Sequence, residues 1–214
     1  MTPSAAGTHL DLLGDAFQEW GRAIPPCAPA LAAFLDELER WSARSPVTGL
    51  ATPRDRVEHG VLDAVPLADA VPPGCSVVDV GSGNGLPGIV IALLRPDLRL
   101  TLVEPSARRC AFLRTAASRA SAAVTVVRSR VEDLAAPEAF DAAVSRAVFK
   151  PARWLALAAP LVRPGGSVFT LLGREPLPSP DPPPDLRLVA TVPYVMPWSG
   201  ASRTLLRHDR ATLA

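Results

Sequence analysis

Through the N-terminal part of the chain, apolar residues recur every three or four positions, the spacing of helices with one buried face. Residues 8–20 place Leu12, Leu13, Phe17 and Trp20 at that spacing. Residues 30–42 line Leu31, Phe34, Leu35, Leu38 and Trp41 along one face, with Asp36, Glu37, Glu39 and Arg40 mostly opposite. A third helix is expected over 53–71. Thr52 stands as its N-cap, Pro53 at the first helical position and Asp55 at the third, the pattern of a capping box. Pro66 is expected to kink or end that helix, because proline lacks the N–H that a helix interior needs.

From residue 75 the period changes. SVVDV (76–80) reads as a short buried strand, followed by a glycine-rich turn and a helix from Pro87 to about Leu94 that Pro96 stops. RLTLVE (99–104), VTVVRS (124–129), FDAAVS (140–145) and GSVFTLL (166–172) are the next strands. Helices over 106–120, with Ala111, Phe112, Leu113 and Ala116 packed inward, and over 151–161 separate them. Strands alternating with helices give a parallel sheet covered on both faces, with ligand-binding loops at the strand C-terminal ends. The proline-rich stretch REPLPSPDPPPD (174–185) is expected to be an extended surface connection. LRLVATV (186–192) and RTLLRH (203–208) are expected to close the sheet as an antiparallel pair. The division is an N-terminal helical extension over 1–72 and a sheet-based domain over 73–214.

Composition narrows the classes without choosing among them. Apolar residues make up 48% of 214 and charged residues 20%, as in ordinary globular proteins. No apolar run is long enough to span a bilayer and the N-terminus has no secretory pattern, so no membrane partner and a cytoplasmic location are expected. Cys27, Cys75 and Cys110 show no metal-ligand or disulfide spacing, so neither a metal site nor a disulfide framework is expected. With a net charge of +1, no global field draws the chain onto nucleic acid. Lys150 is the only lysine, and the arginine excess fits a GC-rich genome better than it signals RNA binding.

Chemistry concentrates in DVGSGNGLPG (79–88). Gly83, Gly85 and Gly88 match the G-x-G-x-x-G of a dinucleotide turn, while Asp79, Gly81, Gly83 and Gly85 match the D-x-G-x-G-x-G turn that holds S-adenosyl-L-methionine. Glu104, about 20 residues further on, suits the ribose of either ligand. Three features favour the methyl donor. Asp79 places an acid where dinucleotide folds keep an apolar residue. Pro87 at the first helical position leaves Gly81–Gly85 as the loop proper and Gly88 in the helix. Finally, RVEDL (130–134) follows the third strand, where an acidic turn can accept from an adenine amine.

The stretch DVGSGNGLPGIVIALLRPDLRLTLVEPSARRCAFLR, with SRVEDL and FDAAVSRAV after it, resembles the bacterial 16S ribosomal RNA guanine-N7 methyltransferases, also called glucose-inhibited division protein B. The resemblance is firmest over 75–172; in the N-terminal helices HGVLDAV (59–65) is similar to a family H-I-L-D-S segment. It implies a Rossmann-like class I methyltransferase: an α/β fold with a mostly parallel seven-stranded sheet, an N-terminal helical extension and S-adenosyl-L-methionine as cofactor. By resemblance, Gly81, Gly83, Gly85 and Leu86 line the methionine side and Glu104 holds the ribose. Val131 and Glu132 meet the adenine, and Arg146 is the catalytic candidate facing the target. The implied partner is 16S ribosomal RNA or a small-subunit assembly intermediate, and a monomer is expected. The chain departs from the family pattern at WSARSPVTGL (41–50), which lacks two asparagines. It also departs at Glu58, where the family is basic, and at Leu172-Gly173, where the family has Lys-Gly; Arg174 or Lys150 are the candidate substitutes.

Guanine N7 carries an in-plane lone pair, so methylation there needs placement and no general base. Accordingly no catalytic dyad is expected. His59 is read as packing or capping, Trp41 and Trp154 as core. Arg108, Arg109, Arg203 and Arg207 are candidate phosphate contacts. Two other readings stand beside this one: an NAD-dependent oxidoreductase, which would lack a Tyr-x-x-x-Lys pair around Tyr194, and a non-catalytic binding module of the same fold.

Overall fold

Five short runs of apolar and β-branched residues build the centre of the sheet in the computed structural model, which describes residues 8–44, 49–173 and 182–212. Strand β1 (Ser76–Val80) pairs in parallel with β2 (Arg99–Val103) on one side and β4 (Phe140–Ser145) on the other. Beyond them lie β3 (Val124–Val127), parallel to β2, and β5 (Val162–Leu172), parallel to β4. The expected C-terminal pair forms: β7 (Ser202–Arg210) runs antiparallel to β5, and β6 (Leu186–Val195) runs antiparallel to β7 at the edge. The order is β3-β2-β1-β4-β5-β7-β6. Strand order reverses between β1 and β4, and crevices outside the strand C-termini at such a reversal are where open α/β sheets bind ligands.

Helices cover both faces. On one, Leu31, Phe34, Leu35 and Leu38 of α2 (Ala28–Arg44) join Leu13 and Phe17 of α1 (His9–Glu19). The same buried cluster takes in Ile89 and Val90 of α5 (Gly88–Leu94) and Phe112 and Leu113 of α6 (Ala107–Arg119). On the other face, Trp154 and Leu155 of α7 (Pro151–Ala158) pack against Val78, Val103, Ala143 and Val168. Each large side chain buried this way contributes about 1.5–3 kcal/mol. Trp154 loses no hydrogen bond by it, since its indole N–H donates to the Phe169 carbonyl at 2.8 Å.

The third helical segment is not a uniform α-helix. Thr52 does cap it with a complete capping box to Asp55, but α3 (Pro53–Asp55) passes into a π-helical turn over Arg56–Val61 and a 3-10 turn over Leu62–Ala64. The wide turn lets Val57, Val61 and Leu62 all reach the core. Pro66 neither kinks nor ends the segment. It falls in the first turn of a new helix, α4 (Val65–Ala70), where a missing N–H costs nothing. Similarly, α5 begins at Gly88 with Pro87 as its N-cap, one residue later than expected. Ala111 is exposed, the inward positions of α6 being Cys110, Phe112, Leu113, Ala116 and Ala117. The α7 helix gives way to a 3-10 turn at Ala159, β5 starts at Val162, and Glu104 lies just past the end of β2. Residues 174–181, most of the proline stretch, lie outside the described residues.

Candidate active site

The glycine turn leaves β1 and folds back onto the end of β2. The N–H groups of Gly81 and Ser82 both donate to the Val103 carbonyl, at 2.8 and 3.2 Å. Gly81, Gly83 and Gly85 all take positive φ, of 75°, 46° and 79°, which side chains rarely tolerate. At Gly83 an added Cβ would project beside the Glu104 carboxylate, about 4.0 Å from its nearer oxygen, with no closer side chain in the way. That is open room for a ligand to lie on the backbone. Gly88 serves another end: a Cβ there would stand 2.5 Å from the Asp79 carboxylate, and its absence lets the Gly88 N–H donate to Asp79 Oδ2 at 3.1 Å.

Asp79 is buried, and its other oxygen, Oδ1, has no hydrogen-bond partner. Desolvation pushes its carboxyl up to about 7, against the opposing pull of Ser82, Gly88 and Arg146. A buried carboxylate oxygen without a donor fits the ammonium of an amino-acid ligand. Glu104 is also buried, and its two oxygens accept from the N–H groups of Gly83 at 3.0 Å and Ser106 at 2.9 Å. One carboxylate thus ties the turn after β1 to the start of α6, while each oxygen keeps a lone pair for a hydroxyl. After β3, Val131 is buried and Glu132 is exposed and paired with Arg153 at 3.1 Å.

Arg146 follows β4 and borders a cavity of about 460 Å³ with His59, Asp63, Asn84 and Arg203. It donates to the His59 carbonyl at 2.5 Å and stands 3.7 Å from Asp63. Burial lowers its guanidinium from the usual arginine range, with Asp63 and Asp79 acting the other way. Asp63 also receives the Tyr194 hydroxyl at 2.7 Å and lies 3.7 Å from Arg203. Two arginines therefore share one carboxylate, leaving the wall of the cavity positive. Sequence reasoning named Arg146 and Arg203 but passed over Asp63, Asn84 and Tyr194 as site residues. Asn84 lay inside the glycine turn in plain view, whereas Asp63 reaches the cavity only because of the π-helical turn before it.

The departures have structural answers. Glu58 is buried and accepts the N–H groups of Trp198 and Ser199 at 2.7 and 2.8 Å, so it anchors the β6–β7 turn. Leu172 and Gly173 do border the Arg146 cavity, and the cation beside them is Arg203. Lys150 sits at the N-cap of α7 and does not line the cavity, and Arg174 is outside the described residues. His59 is half-buried on the cavity wall; Trp154 is core, while Trp41 is half-buried against Phe112. Arg207 pairs with Asp209 at 2.7 Å, and Arg108 and Arg109 are exposed on α6. Among the described residues no helix is long and apolar enough to cross a membrane, and none form a cluster of metal-ligating side chains.

A sheet of this order, with a glycine turn after β1 and an acid after β2, defines a Rossmann-like methyltransferase of the S-adenosyl-L-methionine-dependent class. A solved structure described as M. jannaschii TYW2 in complex with AdoMet shares the fold, with a TM-score of 0.56 at 12% identity over 72% of this chain and 76% of that one. The family model for rRNA small subunit methyltransferase G (GidB) matches residues 28–178, and the chain belongs to that family. Ribosomal RNA small subunit methyltransferase G of Anaeromyxobacter dehalogenans (strain 2CP-1) is 31% identical over 213 residues, 96% of either chain. The enzyme of that name from Frankia alni is 42% identical over 166 residues, 70% of this chain but only 63% of the Frankia protein, under two thirds of its length. Membership resolves the choice posed by the glycine turn in favour of the methyl donor.

Proposed function

We propose that this chain transfers a methyl group from S-adenosyl-L-methionine to N7 of a guanine in 16S ribosomal RNA, free or in a small-subunit assembly intermediate. The observation that carries this is the Glu104 bridge: a buried carboxylate holding the open glycine turn at the sheet's reversal point, next to an arginine-walled cavity. When bound, the cofactor supplies a sulfonium-activated methyl group. Gly81, Gly83, Gly85 and Leu86 form the floor for its methionine end, and Asp79 Oδ1 is the acceptor for its ammonium. Glu104 takes the ribose hydroxyls, and Val131 and Glu132 border the adenine. Arg146, held in place by His59 and Asp63, donates to the target nucleotide. None of these groups needs to remove a proton, since N7 presents a free lone pair; the protein orients and excludes water. Positive charge left on the methylated purine is offset by Asp63 and Asp79 nearby.

The test combines calorimetry with adenosylhomocysteine and transfer of labelled methyl to RNA from hypomethylated small subunits. Wild-type protein should bind and methylate at N7, and Glu104→Ala should bind at least about tenfold more weakly, the loss expected for charge-assisted hydrogen bonds. Unchanged affinity in Glu104→Ala, or a methyl found on another atom, would overturn the reading.

A further inference from the structure

A second cavity, of about 180 Å³, adjoins the Arg146 cavity and shares Ala147, Leu171, Leu172 and Gly173 with it. It lies at the C-terminal ends of β4 and β5, beneath the loop that joins β4 to α7. Ala147 takes a left-handed φ of 56° there. The chain after it lays Val148 on the glycine turn, so that a Cβ on Gly81 would meet Val148 at 2.6 Å. The next residue, Phe149, folds over Trp154 with their rings parallel within 7° and 6.3 Å apart. Phe149, Trp154 and Val148 wall the cavity.

One polar group in that wall has no use within the fold. Thr170 is 5% exposed, and its Oγ1 has no hydrogen-bond partner. Neighbouring polar groups are occupied: Ser145 Oγ donates to the Val80 carbonyl at 2.9 Å, and the Trp154 indole to Phe169. A buried hydroxyl left unpaired is costly unless a ligand or water completes it. The cavity thus offers a flat aromatic wall, apolar sides and one hydroxyl able to donate or accept. A ligand with a flat apolar face and a hydrogen-bonding edge is a nucleobase, and an enzyme acting on a base atom inside folded RNA must draw that base out of its stack.

We infer that this cavity is the seat of the target purine, with Phe149 as its stacking wall and Thr170 Oγ1 as its edge contact. The assignment rests on the methyltransferase reading and adds the base subsite to it. Val148 ties the cavity to the glycine turn, so a base seated there lies beside the donor's floor. The arginine-walled cavity next door then receives the phosphodiester on either side of the base, which suits two cations sharing one carboxylate.

The experiment uses the full chain and RNA from hypomethylated small subunits, with KM and kcat for RNA measured separately and adenosylhomocysteine affinity by calorimetry. Phe149→Ala should raise KM for RNA about tenfold, as loss of one base–aromatic stack does, with adenosylhomocysteine affinity unchanged. Phe149→Tyr should restore it, keeping the ring. Thr170→Val should lower kcat/KM while Thr170→Ser retains it. Wild-type RNA kinetics in Phe149→Ala would overturn the assignment; so would a parallel loss of adenosylhomocysteine and RNA binding, the mark of a packing role. Those results are distinct from failure of the wild-type protein to bind adenosylhomocysteine, which sinks the function itself.

Discussion

Asp79 has two unequal oxygens, one bonded to the Gly88 N–H and one bare, in a site too dry for a comfortable charge. Its carboxyl, near 3.8 when unfolded and about 7 when folded, holds more protons in the folded state between those values. Stability from this group is therefore present at acid pH and is lost as pH rises toward 7, by up to about 1.4 kcal/mol per pH unit for one proton. Urea titrations of ligand-free protein between pH 4 and 7 should show this slope, and Asp79→Asn should remove it. An ammonium arriving at Oδ1 favours the charged form. Adenosylhomocysteine binding near pH 6 should thus release a proton, seen as a heat that changes with buffer ionisation enthalpy, and Asp79→Asn should abolish the release. The importance of Asp79 was legible in the sequence from its place before the glycines. Its missing partner was not, because burial on all sides is a property of neighbours far along the chain.

Helices and strands were legible wherever local chemistry and tertiary demand agreed. Thr8 and Thr52 each form a full capping box, with Asp11 and Asp55. Thr52→Ala should cost about 1 kcal/mol in chemical denaturation, the usual worth of such a cap. The strand SVVDV begins and ends at the residues expected, since it is apolar, short and bounded by a turn. Reading failed where packing chose among conformations the local sequence allows. Periodicity alone reads 53–71 as one helix, yet placing Val57, Val61 and Leu62 together in the core requires a change of helical pitch. A proline there was read as a terminator, when it opens the next helix. Ala111 was placed inward because alanine tolerates either face, and the wider residues beside it took the buried positions.

Across the whole molecule, the N-terminal helices are not an appendage in packing terms, for their side chains share one buried cluster with α5 and α6. Glu58 adds a polar tie, joining the π-helical turn to the β6–β7 turn some 140 residues away along the chain. Glu58→Ala leaves two N–H groups without their acceptor and should cost about 1–3 kcal/mol, measured by thermal or urea unfolding. Read along the chain, Glu58 looked like a lost basic residue; its job appears only when chain ends meet. The same holds for Asp63, Tyr194 and Arg203, which converge from three separate elements. The donor's half of the site was legible because one turn and the next strand contain most of it, while the acceptor's half is assembled from distant pieces.

The reversal of strand order between β1 and β4 has a consequence for turnover. The nucleoside cradle opens above β1 and β2, and the two cavities for the second substrate open above β4 and β5. Each guest has its own doorway, so spent cofactor can be exchanged without the chain first having to let go of its much larger companion.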